Sequence, residues 1–153
     1  MASHESTSQV REAKREAERD RNRALQRVSD MCANGQRQLV LRFLIANMRH
    51  NPALAKIHLW QLDVAMFHVG RYKALKTVRR MRETIGDKSN VTDGVASLGW
   101  ALAGREESVR MSTWLFLLLL REDLVRFEPP DGFPYAMLYG RDGDKGDDGG
   151  NMA

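Results

Sequence analysis

Between residues 71 and 82 six cationic side chains follow one another with no acid among them: Arg71, Lys73, Lys76, Arg79, Arg80 and Arg82. Ammonium and guanidinium groups at this density suit the oxygens of phosphate. On a helix, Lys73, Lys76 and Arg80 recur at i, i+3 and i+7 and so form one stripe, which Arg79 and Arg82 flank. The stripe follows directly on His68-Val69-Gly70, a turn sequence. A helix opening at Arg71 presents unpaired backbone N–H groups and a partial positive charge at its first turn. Gly70 just before it leaves no Cβ in the path of an approaching phosphate, and Arg71 and Lys73 add point charges there. One phosphate at the turn and others along the stripe amount to a strand of nucleic acid. Such backbone contacts position a protein without reading sequence.

The distribution of charge supports this choice of ligand. The whole chain of 153 residues carries a formal net charge of +4. Residues 31–86 hold ten basic and two acidic side chains, net +8, whereas residues 1–30 are net +1, residues 87–126 net −1 and residues 127–153 net −4. A positive field gathered in one region is what a polyanion-binding domain requires.

Other chemistries lack their residues. No P-loop and no GxSxG occurs, no convincing pair of acids stands out, and a non-enzymatic protein is expected. The lone Cys32 excludes an internal disulfide and a multi-cysteine zinc site. His50, His58 and His68 do not have metal-ligand spacing. Asp142, Asp144, Asp147 and Asp148 resemble a calcium loop but lack its bidentate Glu. No metal and no cofactor is therefore expected. The start of the chain has no apolar signal core, and the longest apolar run, from Trp114 to Leu120, is seven residues, against about 20 for a membrane span. The expected location is cytoplasmic.

Positioning the stripe needs a core, and the 42% of hydrophobic residues, few prolines and absence of strand-like alternation predict an all-α fold. Residues 1–30 read as a charged N-terminal helix with a disordered start over 1–8. Residues 31–128 read as the helical binding domain. Within it, Asn34-Gly35 is a helix stop. A helix over 36–48 is expected to bury Leu39, Phe43 and Ile45 or Ala46. Asn51 caps a helix with Pro52 at its first position, and that helical stretch runs toward Phe67 with a break near 56–58. In the helix over 71–84, Ala74, Leu75, Val78, Met81 and Ile85 form the buried face. Further helices are expected over 91–103 and 107–125, the last anchored by Trp114, Leu117, Leu118 and either Leu120 or Leu124. Trp60, Trp100 and Trp114 read as core or half-buried. Residues 129–153 read as an extended aromatic segment, DGFPYAMLYG, and a disordered acidic tail.

In order, these elements resemble the actinobacterial, mycobacterial-type integration host factor family. That family carries a helix–two-turn–helix DNA-binding module after a long charged helix and a short helix. The likeness rests on the charged helix to about Asp30, on LAKIHLWQLDVAMF, on HVGRYKA beside the family's GVGKVKA-like turn, and on LKTVRRMRETIG. It covers roughly residues 20–86, with the module at about 57–86. The resemblance implies double-stranded DNA as the ligand and a nucleoid-associated, architectural role. Carried over by position, Val69 and Gly70 form the turn, and Arg71 and Lys73 face phosphate. Lys76, Arg79 and Arg80 continue along the helix, and Lys56 matches a lysine of the preceding short helix. His68 stands where the family has its first glycine, and would add a phosphate contact that depends on its protonation. The residues after Val91 have no clear counterpart, which points to a phage or plasmid relative. Two other readings stay open from sequence. One is a phage-encoded protein-interaction module acting on a host protein through the Arg/Glu helix and DGFPYAMLYG. The other is an RNA binder.

Overall fold

Helix-forming residues dominate the chain, and the structure, a computed structural model, is all-helical; it describes residues 2–104 and 107–125, and among these no strand occurs. By its contacts the chain divides into Met1–Leu118 and Leu119–Ala153. The core belongs to the first unit.

Helix α1 spans Ala2–Ala33. The disordered start expected over 1–8 is not what forms, since the helix already runs from Ala2. Ser, Thr, Glu and Ala offer no breaker in that stretch, so backbone hydrogen bonding continues through it. Residues 6–16 of α1 are exposed. The buried side begins at Ala24 and continues at Val28 and Met31, spaced i, i+4, i+7. The helix stops at Asn34-Gly35, as expected. Gly35 takes a left-handed φ of 73°, so that Gln36 N–H reaches Met31 O at 2.8 Å and closes the last turn.

The expected helix over 36–48 is two pieces, a 3-10 turn at Arg37–Leu39 and helix α2 at Val40–Met48. Its buried residues are Val40 and Leu44; Leu39 and Ile45 are exposed, Ala46 is exposed, and Phe43 is half-buried. The 3-10 turn rotates the helical face relative to an unbroken helix, and the apolar stripe moves by one residue. Asn51 caps a 3-10 turn at Pro52–Lys56, its Oδ1 accepting from Ala53 N–H at 3.2 Å. Its Nδ2 also donates to Asp20 of α1 at 2.8 Å. Ile57 and His58 are extended, the break expected near 56–58.

Helix α3, Leu59–Phe67, lies against α1 and α4, Arg71–Ile85. Leu59, Leu62 and Met66 of α3 and Ala74, Thr77, Val78 and Met81 of α4 are buried, while Leu75 and Ile85 are half-buried rather than buried. Gly86, with φ 64°, ends α4.

No long helix occupies 91–103. Residues 87–97 form a loop, followed by the four-residue helix α5, Leu98–Ala101, capped by the Ser97 hydroxyl. The loop is tied down instead. An isolated antiparallel bridge joins His58 to Ser97, with Leu59 N–H to Ala96 O and Leu98 N–H to Ile57 O both at 2.8 Å. Trp60 Nε1 donates to Gly94 O at 3.1 Å. Helix α6, Ser108–Arg121, buries Met111, Trp114, Leu117 and Leu118. It ends short of 125: Asp123 is left-handed at φ 55°, Leu120 is half-buried and Leu124 exposed. The expected aromatic segment and acidic tail over 129–153 lie outside the described residues.

Candidate nucleic-acid interface

The turn that opens α4 is built from two residues of opposite backbone hand. His68 ends α3 in the left-handed region, φ 54° and ψ 32°, and its N–H reaches Val64 O at 2.9 Å. This is the helix-ending position that glycine usually fills, and it is the position where the resembled family has its first glycine. Val69 is half-buried. Gly70 is the N-cap of α4 with φ −71° and ψ 156°, ordinary extended backbone. Its dihedrals do not demand glycine. What glycine supplies there is room, because a Cβ would meet nothing within 4 Å. No side-chain hydrogen bond caps the first turn of α4, and the leading N–H groups of a helix have no partner within the helix itself.

The cations divide into two sets. Arg71, Lys73, Lys76 and Arg79 are exposed, and Arg80 is half-buried. On a helical projection, the outward face of α4 runs from Arg79 through Tyr72 and Lys76 to Arg80 and Lys73, opposite the buried Ala74, Thr77, Val78 and Met81. Arg71 is steadied by stacking its guanidinium over the Trp60 ring, 4.6 Å from the centroid. Arg79 also pairs with Asp93 at 3.2 Å while 70% of its side chain stays exposed. Exposure of that degree makes the pair weak and exchangeable.

Arg82 leaves the expected set. Its guanidinium donates to Asp87 at 3.0 Å, to Asp93 at 2.9 Å and to Ser89 O at 3.3 Å, with 19% of the side chain exposed. Arg110 of α6 joins through Asp87 at 3.4 Å and Trp100 O at 3.1 Å, stacked on the Trp100 ring. Burial by itself would raise the Asp87 carboxyl, but hydrogen bonds from Ser89 and Arg82 and the charge of Arg110 hold it below the usual range. Arg82 thus anchors the loop over 87–97 to α4. Charge count in sequence could not separate it from Arg79, because both acids that claim it lie beyond the helix.

Lys56 is exposed at the end of its 3-10 turn. Sequence reading missed Arg21 of α1, whose charge, with that of Arg71, opposes protonation of His58 after burial has already lowered its pKa. Arg71 stacks on the Trp60 ring, whose centroid lies 6.5 Å from that of the His58 ring. Arg21 is hidden in sequence because it sits in a helix dense with both signs. Arg37 also went unselected. It lies over the Phe67 ring at 4.6 Å, beside the end of α3.

Among the described residues no group of three or more His, Cys, Asp or Glu is arranged to hold a metal ion, and no helix is long and apolar enough to cross a membrane. Comparison with known proteins found no matching family model, no similar curated protein and no similar solved structure.

Proposed function

We propose that this chain is a non-enzymatic, double-stranded DNA-binding protein of the integration-host-factor type, acting in the cytoplasm as a nucleoid-associated, architectural factor. The observation that carries the reading is the exposed cationic face of α4, which begins at an uncapped helix start with open space over Gly70. Arg71 and the leading N–H groups would take one phosphate. Lys73, Lys76, Arg80 and Arg79 would take its neighbours along the strand. With phosphate contacts alone, binding is largely independent of sequence.

Mobility shift of several unrelated duplexes over a salt series tests this directly. Neutralising about four to five phosphates gives a slope of about −4 in log affinity against log salt. Changing Lys73 and Lys76 together to Ala abolishes retardation at moderate salt while the helical circular dichroism stays that of the parent. A flat salt dependence, or retardation unchanged in the double variant, overturns the proposal. Preferential competition by structured RNA would transfer the site to RNA.

A further inference from the structure

Tyr72 stands on the face just described, between Arg79 and Lys76 on the projection, and is not a cation. Its side chain is 84% exposed, the most exposed large hydrophobic among the described residues. On α4 it shares a row with Lys76 at i+4 and Arg79 at i+7, both exposed, and its sequence neighbours are Arg71 and Lys73. A single exposed ring is ordinary on a protein surface; what distinguishes Tyr72 is its place among exposed cations, where its apolar body and polar tip suit an amphipathic partner. A nucleic-acid strand is such a partner: its phosphates are anionic, while its sugars and base edges are not.

We propose that Tyr72 is a DNA-contacting residue whose ring packs into the groove against sugars and base edges, beside the phosphates held by Lys76 and Arg79 of its own row. This rests on the DNA-binding reading of α4 and deepens it. A strand held by Lys76 and Arg79 covers the ring, because Tyr72 lies in the same row, one and two turns before them. The contact is apolar. It adds affinity without releasing counterions, and it works best where base steps open easily, as wedges in the minor groove do. Tyr72 thereby marks where along the duplex the helix settles, a function the phosphate contacts do not supply.

The test compares the full chain with Tyr72→Ala and Tyr72→Phe in mobility shifts on one duplex across the salt series, and on the same duplex carrying a central mismatch. Tyr72→Ala is expected to bind about five- to tenfold more weakly with the salt slope unchanged. Tyr72→Phe is expected to bind within twofold of the parent. The parent is expected to prefer the mismatched duplex and the Ala variant to lose that preference. Parent-like binding by Tyr72→Ala, with Lys73→Ala/Lys76→Ala still defective, would remove Tyr72 from the interface and leave the DNA-binding reading standing. A loss in Tyr72→Phe equal to that in Tyr72→Ala would assign the contact to the hydroxyl and a phosphate, overturning the groove contact. Absence of retardation by the parent would overturn both.

Discussion

At φ 54° His68 occupies the left-handed region, where the Cβ of an L-residue crowds the following carbonyl at a cost of about 1–2 kcal/mol. The surrounding packing imposes it, because Val69 must turn inward and Gly70 must begin α4. Replacing His68 by Gly removes that crowding but gives the unfolded chain more freedom. The expected net effect is stabilisation of up to about 1 kcal/mol, read as a raised midpoint in urea unfolding. His68→Val, β-branched at the same backbone, is expected to lower the midpoint. The identity of this turn was visible in the residues, since an apolar helix had to end before Gly70. The hand of His68 was not, because positive φ is uncommon even for histidine, which favours it more than most residues.

The elements owe their positions to side chains that reach across from other elements. Loop 87–97 has no helix of its own and is held by Asp87, 4% exposed, between Arg82 of α4 and Arg110 of α6. Removing Asp87 leaves Arg82 with Asp93 and takes a carboxylate from Arg110, and a buried charge that loses its partner is strongly destabilising. Asp87→Ala is therefore expected to destabilise the fold by about 3 kcal/mol, measured by chemical denaturation. Because the Asp87 carboxyl is held below its ordinary range, its stabilisation is complete above about pH 4 and is lost as pH falls below that. The misreadings of sequence concentrate at this scale. The helix expected over 91–103 does not form; Ala96 and Leu98 instead make the bridge to Ile57 and Leu59, and Leu98–Ala101 form the short α5. The 3-10 turn at Arg37–Leu39 displaced the buried face of α2 to Val40 and Leu44, since periodicity assumes an unbroken helix.

For the molecule as a whole, like charge from separate helices acts on one histidine. His58 is lowered first by burial and then by Arg21 of α1 and Arg71 of α4. A histidine with a depressed folded-state pKa binds fewer protons folded than unfolded, so stability rises with pH across the window. Its contribution is complete above about pH 6.5, the ordinary imidazole value, and declines as pH falls from there toward 5. His58→Gln is expected to flatten that part of the profile, as measured by thermal unfolding between pH 5 and 7. A slope unchanged by the substitution would place the titrating group elsewhere.

The all-helical class, the stop at Asn34-Gly35, the cap at Asn51, the turn before Gly70 and the exposed placement of Lys73 and Lys76 were legible in the sequence alone. Each follows from backbone propensity or from the 3.6-residue period, which act over a few neighbouring residues. The tertiary structure alone decided that Arg82 belongs to the fold, that the charges of Arg21 and Arg71 act on His58, and that Tyr72 stands bare among the exposed cations of α4. Those outcomes depend on which distant acids, rings and helices come within a few ångströms, and proximity of that kind is created only when the core closes.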